Sequence, residues 1–514
     1  MGGVRTHRLL PLISAFALAA CTVTVPGSPV AGDVEQRGPR GPVPAGLERF
    51  YGQALTWSGC GGFAHDDESR DAFAKRDVRC ALLTVPLDYA NPAGRTATIG
   101  VLRKPATSDR VGALVLNPGG PGASGMSAAV GIADREPKIA AHFDVVGFDP
   151  RGIGVSKPRI QCVTGPEMDA DRAEPDEDTV AEEEAENKDF ATKCAQRSGV
   201  DLLANVGTRD VARDMDVLRS ALGEEKLTYL GYSYGTLIGT VYAEAFPGNV
   251  RAMVLDGAVD PDEDPVAQAI EQVKGFDKAL SDYFAGCSTR RCTVKSKDQL
   301  KKLLVDLEKR PIPVGKRKLS YSDASTGIDA ALYSDEYWEF LDKALAELAG
   351  GKGESLMLLA DLYTGRDDSG EYSGIMDALV AVRCVDEPRI TDRAELERRT
   401  REVVQATRGV FMADVHPPLP ALDTCAFWPT PNTSVPHQPK VAGVPPLLVV
   451  STTGDPATPY QAGVNLAKSL GARLLTYQAT QHTAFLDGVS CVDSVGLAYL
   501  EKLELPPADV TCKG

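Results

Sequence analysis

The sequence predicts an α/β protein, with a mainly parallel sheet, helices on both faces and a helical insertion late in the chain. Three observations carry that prediction. Short apolar runs of strand length alternate with segments of helical period. Several of these runs are apolar throughout, as strands buried on both faces are. A long helix-rich stretch separates the last two strand patterns from all the others. With 514 residues, 43% of them hydrophobic and 25% charged, the chain can bury a large core, and its composition is not that of a disordered, fibrous or multi-span membrane protein. Acidic residues outnumber basic ones by 71 to 55, and the net charge of −16 argues against a nucleic-acid partner.

Residues 1–20 read as a secretory signal, because Arg5 and Arg8 precede an uncharged run, 9–20, that ends in small residues. A membrane-crossing helix needs about 20 apolar residues, and this run is shorter. Leu18-Ala19-Ala20-Cys21 resembles the lipobox of bacterial lipoproteins, in which the cysteine becomes the lipidated first residue. Ordinary cleavage after Ala17-Leu18-Ala19 would instead leave Cys21 a free thiol. Residues 21–44, rich in Gly, Pro and charge from 28 onward, read as a tether.

The domain then runs in two parts, 45–261 and 441–514, around an insertion at 262–440. Strands are expected at 81–87, 96–102, 113–116 and 144–148, and the acidic stretch 167–189 reads as a solvated helix or loop. The segment 208–222 carries Val211, Met215, Val217, Leu218 and Leu222 near helical spacing and stops at Gly223. A strand at 227–230, a helix at 236–245 stopped by Pro247, and a strand at 252–255 follow. After Pro261 the pattern turns helical, at 264–284, 297–309, 334–348 and 354–362, which makes the insertion a lid over one edge of the sheet. Strands return at 447–451 and 473–477.

Chemistry enters at Gly231-Tyr232-Ser233-Tyr234-Gly235, a G-x-S-x-G run between a strand and a helix. A sharp strand-to-helix turn needs small residues on both flanks and leaves the serine exposed at the carboxyl edge of the sheet. A serine hydroxyl is barely ionised at neutral pH, so it needs a base to take its proton and an acid to orient that base. Among six histidines, His7 leaves with the signal, and only His482 lies in a short loop after a late strand; His65, His142, His416 and His437 read as surface residues. Asp455 lies in the loop after strand 447–451, a position where an aspartate also serves as a turn or helix cap. The order Ser233, Asp455, His482 is that of α/β-hydrolases. After strand 113–116, Asn117-Pro118-Gly119-Gly120-Pro121-Gly122 suits an oxyanion loop, with the Gly120 and Tyr234 N–H groups as its donors. No Gly-Lys-Ser/Thr follows it, so it does not read as a nucleotide loop, and nothing else in the chain asks for a metal, nucleotide or flavin.

Cysteines number 11, and assigning Cys21 to a lipid leaves an even ten, as an exported protein in an oxidising compartment would have. They fall as neighbours along the chain: Cys60 with Cys80, Cys162 with Cys194, Cys287 with Cys292, Cys384 with Cys425, and Cys491 with Cys512. Sequence alone does not fix that connectivity. No cysteine or histidine spacing suits zinc.

Together with Phe148-Asp149-Pro150-Arg151-Gly152, Leu255-Asp256-Gly257-Ala258-Val259-Asp260-Pro261 and Gln481-His482-Thr483, these motifs resemble the actinobacterial secreted tripeptidyl aminopeptidase-like serine hydrolases. That group sits among the α/β-hydrolase peptidases related to prolyl aminopeptidases, and the match is close to the mycobacterial cell-envelope serine proteases. It runs from about Cys60 to Cys512 and covers every cysteine pair above. The resemblance implies an α/β-hydrolase fold, Ser233 as nucleophile, Asp455 as acid, His482 as base, and a lid that favours cleavage near a free amino terminus. Asn117 stands where many prolyl aminopeptidases have histidine, which speaks against strict prolyl specificity. Recognition of an α-ammonium requires a carboxylate. Asp386 and Glu387, beside Cys384 in the lid, are candidates for it, with a solvated loop as the other reading. The expected protein is thus an exported, membrane-anchored serine peptidase that releases tripeptide-like products from peptide or protein substrates. A carboxylesterase or lipase with the same triad is the alternative within enzymes, and an envelope interaction protein with a degenerate site is the alternative outside them.

Overall fold

The computed structural model describes residues 32–64, 66–173, 179–415, 417–508 and 510–514. The signal segment 1–20, Cys21, the tether as far as 31, and His7, His65 and His416 lie outside the described residues.

Nine strands form one sheet: β1 Arg79–Pro86, β2 Thr96–Lys104, β3 Gly112–Asn117, β4 Phe143–Asp149, β5 Leu227–Tyr232, β6 Val250–Asp256, β7 Leu448–Thr452, β8 Arg473–Gln478 and β9 Val510–Lys513. Their order across the sheet is β1-β2-β4-β3-β5-β6-β7-β8-β9. The pairs β1–β2 and β2–β4 are antiparallel, and every pair from β4 to β9 is parallel. Residues of β3, β4 and β7 are buried at every position, the apolar ones as a strand covered on both faces requires and with them the polar Asn117, Asp144, Asp149, Ser451 and Thr452. Because β3, β5, β6 and β7 are parallel neighbours, the loops that leave their carboxyl ends share one edge of the sheet.

Helices cover both faces. Among them are α1 Gly125–Arg135, α2 Thr208–Ala221 and α3 Tyr234–Ala245 before the insertion. Within it come α4 Pro265–Ala285, α5 Lys297–Lys309, α6 Tyr321–Leu332, α7 Trp338–Ala349, α8 Glu354–Thr364, α9 Ile375–Asp386 and α10 Arg393–Ala406, and after it α11 Tyr460–Leu470 and α12 Ser490–Lys502. One apolar cluster joins α2, α3 and α11 to the sheet, and a second joins α1 and α12 to it. The insertion has a third core of its own, with Leu280, Leu304, Ile328, Leu345 and Leu356. Helix α9 is different: Ala378, Ala381 and Val385 pack into the cluster of α2 and α3.

Several boundaries depart from the sequence expectation. The helix expected at 334–348 begins at Trp338, after a single 3-10 turn at Asp335–Tyr337. Helix α6 was not anticipated, because Ser, Asp, Thr and Gly are weak helix formers. The Ser320 side chain caps it by accepting from the Asp323 N–H, and Ala324, Ile328, Ala331 and Leu332 are buried. Helices α1, α9 and α10 and strand β9 were also unforeseen. From Gly32 onward the segment read as a tether is laid on the domain: Asp33–Glu35 pairs with Leu55–Trp57, Glu35 accepts two hydrogen bonds from Arg103 at 2.9 Å, and Arg40 N–H donates to Ser220 Oγ at 2.9 Å. The acidic stretch is helical where described, at Gly165–Asp171 and Val180–Ser198.

Five disulfides join the neighbour pairs given above. The Phe148–Gly152 turn is fixed by Arg151, whose fully buried guanidinium donates to both Asp214 oxygens at 2.6 and 2.8 Å. It also donates to the carbonyls of Leu87, Asn205 and Pro86. A buried charge survives only when its partner and its remaining donors are all satisfied, as they are here.

Candidate active site

Ser233 follows β5 directly and adopts φ 53°, ψ −126°, a left-handed conformation for a residue with a side chain. Such backbone strain costs on the order of 1–3 kcal/mol and persists only where the surroundings over-determine it. Here the Ser233 N–H donates to Asp256 O at 2.9 Å, while its carbonyl accepts from Thr236 N at 2.8 Å and Thr236 Oγ1 at 2.7 Å. The flanking glycines are required by close approach: a Cβ on Gly235 would lie 2.6 Å from Asn117 O, and one on Gly231 would lie 2.4 Å from Gly235 O.

Asp455, in the loop after β7, is 3% exposed. Its Oδ1 accepts from the N–H groups of Ala457 and Thr458 at 2.9 and 2.8 Å, and its Oδ2 from Thr458 Oγ1 at 3.0 Å. His482 Nδ1 stands 2.9 Å from both carboxylate oxygens. The histidine backbone N–H donates to Tyr333 O at 2.7 Å, and its ring meets the Tyr333 ring edge-on at 5.5 Å. Burial alone pulls the imidazole pKa down, but the charge and hydrogen bond of Asp455, aided by the charge of Asp256, outweigh it and raise the pKa above 6.5. His482 Cε1 lies beside Gly257, 3.0 Å from where a Cβ there would stand. Asp256 and Gly257 thus separate the serine turn from the histidine by one peptide. The hydroxyl of Ser233 makes no hydrogen bond to His482 in this structure; such bonds often tighten only when substrate is bound.

The loop after β3 packs onto the serine turn. Asn117 is buried, and its Oδ1 accepts the Gly119 N–H at 2.9 Å, so that donor is spent on holding the loop. Gly119 and Gly120 take φ of 98° and 106°, and a Cβ on Gly119 would lie 2.9 Å from Ser233 Cβ and 3.1 Å from Tyr234 N. Among the described residues the N–H groups of Gly120 and Tyr234 have no acceptor.

Sequence reasoning missed Asp256. Its side chain is 0% exposed, and its Oδ2 accepts from the N–H groups of Ala484 and Phe485 at 2.8 and 2.7 Å. Its Oδ1 is buried without a hydrogen-bond partner, and burial pushes the carboxyl up to about 7. One residue therefore holds the serine turn through its carbonyl and the histidine loop through its carboxyl. The only signal in the sequence was an acid at the end of a buried strand.

Asp386 and Glu387 do not line the cleft of about 1030 Å³ that contains His482. Asp386 instead accepts from Thr208 N at 3.0 and 3.1 Å and from Thr208 Oγ1 at 2.5 Å, and Thr208 Oγ1 in turn bonds Tyr234 OH at 2.5 Å. Helix α2 has Gly207 at its N-cap, with no side chain to cap the orphan amides, so a carboxylate from α9 supplies the cap. Burial raises Asp386 to about 6 and Glu387 to about 7. The cleft carries other acids: among the described residues Glu336, Asp368 and Asp487 form no ion pair, whereas Asp361 is held by Arg172 and Arg317. Of the other described histidines, half-buried His142 bonds Asp109 O and exposed His437 pairs with Glu244. Among the described residues one cluster has metal-ligand spacing, Cys287, Cys292 and Asp342. Its sulfurs are joined in a disulfide, and its carboxylate accepts from Arg290 and Tyr283.

The profile of the family described as alpha/beta hydrolase fold matches residues 112–489. The chain is 46% identical to serine protease Hip1 of Mycobacterium tuberculosis, over 90% of this chain and 92% of that one. It is 43% identical to carboxylesterase B of the same organism, over 98% and 99% of the two chains. It is 32% identical to the tripeptidyl aminopeptidase of Streptomyces lividans, over 88% and 86%. The strand order, the serine turn and these matches agree: the chain belongs to the alpha/beta hydrolase family, in the group that includes these three relatives.

Proposed function

We propose that this chain is an exported serine peptidase that releases short peptides from free amino termini through an acyl-enzyme at Ser233. The observation that carries the reading is the Asp455–His482 pair set one peptide from a strained serine turn, with two unused N–H groups beside it. The relatives named as a serine protease and a tripeptidyl aminopeptidase support the peptidase assignment.

In this reading Asp455 accepts the Nδ1–H of His482, which leaves Nε2 as the base. Ser233 Oγ attacks the scissile carbonyl carbon as Nε2 takes its proton. The resulting oxyanion receives the N–H groups of Gly120 and Tyr234, each such donor being worth about 3 kcal/mol of barrier. The imidazolium returns the proton to the leaving amine as the C–N bond breaks, and a water activated by the same histidine then hydrolyses the ester. The base must be neutral and its pKa is raised, so kcat/KM falls as pH drops through a value above 6.5. A substrate α-ammonium meets Glu336, Asp368 or Asp487 in the cleft, rather than Asp386 or Glu387.

The carboxylesterase B relative favours a second reading, ester hydrolysis by the same acyl-enzyme. Kinetics on amino-terminally free peptides, blocked peptides and short-chain esters, beside Ser233→Ala, separate the two. Cleavage of free peptides, lost in the variant, is expected; cleavage confined to esters would overturn the peptidase reading. For location, the signal at 1–20 and the lipobox at Cys21 support export and lipid anchoring, and no described helix is long and apolar enough to cross a membrane. Mass spectrometry of the mature amino terminus should find a diacylglyceryl group on Cys21; a plain thiol contradicts the anchor.

A further inference from the structure

Exposed large apolar side chains are ordinarily scattered over a protein surface. Here Tyr337, Leu358, Leu362 and Tyr363 are exposed by 52, 49, 69 and 38%, and all four line the cleft that contains His482. They come from one part of the insertion, the turn before α7 and the helix α8. Leu358 and Leu362 are four residues apart on α8 and so lie on one face of it, one turn from each other. The wall is continuous with the reacting centre, because the Tyr333 ring touches the His482 ring at 5.5 Å and the Tyr363 ring at 6.0 Å. An apolar surface thus runs outward from the imidazole along the lid.

The rest of the lining is mixed: Ser124, Ser127, Arg135 and Asp487, from α1 with its N-cap and from the histidine loop, put polar groups into the cleft among Ala128, Ile132 and Phe485. A lipid acyl chain needs apolar surface on all sides, whereas an extended peptide offers polar backbone to one wall and side chains to the other. Extended chain advances about 3.3 Å per residue, so the Tyr333–Tyr363–Leu362 surface spans residues roughly two to four positions from the scissile bond.

We propose that Tyr337, Leu358, Leu362 and Tyr363 form a specificity wall that selects peptide substrates with a large apolar side chain two to four residues from the cleaved bond. This rests on the peptidase reading and names its substrate class. An apolar contact of one or two methylenes discriminates by at least about tenfold where it is enclosed, and this wall is open, so tenfold is the size expected.

The test is a set of fluorogenic, amino-terminally free peptides in which Leu or Phe replaces Ser at one position at a time on either side of the scissile bond. Wild type should prefer one apolar placement by about tenfold in kcat/KM. In Leu358→Ser/Leu362→Ser that preference should drop below about threefold through KM, while hydrolysis of 4-nitrophenyl acetate, too small to reach the wall, stays within about twofold. Leu362→Asp should give the same loss. Peptides cleaved without an apolar preference, or a preference that survives the double variant, would overturn the wall while leaving the peptidase reading intact. So would an equal loss on 4-nitrophenyl acetate, or a double variant that loses only binding to phosphatidylglycerol vesicles. No peptide cleavage by wild type, with esters hydrolysed, would instead sink the peptidase reading, and the wall with it.

Discussion

The carboxyl edge of the sheet and the insertion above it are built on different physics. At the sheet edge every proposed reacting group is held by backbone: Ser233 by Asp256 O and Thr236, Asp455 by two amides of its own loop, and His482 by the carbonyl of Tyr333 and the 484–485 amides bound to Asp256. The insertion has an apolar core of its own, and the apolar side chains it turns to the cleft, Tyr337, Leu358, Leu362 and Tyr363, are exposed. The comparison teaches that chemistry and substrate choice reside in separately stabilised regions, so substitutions at the edge should act on kcat and those on the lid on KM.

The largest effect expected from breaking that division is at the nucleophile. Ser233→Ala should lower kcat by at least about 10⁴-fold with little change in KM, measured on the best peptide substrate; residual catalysis from the oxyanion donors alone is small.

Asp256→Ala comes next. It leaves two amides of the histidine loop without their acceptor, which costs about 1–3 kcal/mol of stability, read from denaturant midpoints. It also lets the imidazole drift from the serine, which should lower kcat by about 10- to 100-fold. Asp256→Asn should recover part of kcat, since its carbonyl oxygen still accepts. It should also move the acid limb of kcat/KM to lower pH, because a charge that helps keep His482 protonated is gone. The other groups facing that ring, Asp455, Thr458 and Tyr333, are unchanged in that variant. A purely structural role would lower stability without moving the pH limb.

Tyr333→Leu tests the seam between the regions. The main-chain bond to His482 stays, and the histidine loses its ring contact, worth about 0.5–1.5 kcal/mol, together with the packing of that ring on Phe276 and Tyr363. A fall in kcat of about 2- to 10-fold is expected from initial rates.

The smallest effect belongs to Asp386→Ala. Loss of the α2 cap should cost about 1 kcal/mol in thermal or chemical denaturation, with kcat/KM within about threefold. A rise in KM confined to free-amino substrates would restore Asp386 as an anchor for the amino terminus.

What could be read from the sequence follows the same division. Glycines at 119, 120, 231 and 235 were legible because tight turns leave no room for a side chain, and β3 and β7 because strands buried on both faces are apolar throughout. The capping role of Asp386 could not be read, because its partner, a side-chain-free cap at Gly207, lies far away in sequence. Tyr333 carried no signal, since its contact with His482 exists only once α6, made of weak helix formers, is fixed by lid packing. Asp256 stood in a motif but had no visible role, because both loops it joins are distant along the chain.

The central claim is that one hydroxyl, activated by His482, is the reacting group. Labelling the purified protein with a fluorophosphonate and mapping the adduct by peptide mass spectrometry tests it directly. The account predicts one adduct per chain, on Ser233, absent from Ser233→Ala and slowed by at least about 100-fold in a folded His482→Ala protein. An adduct on another residue, or undiminished labelling without the histidine, would contradict it.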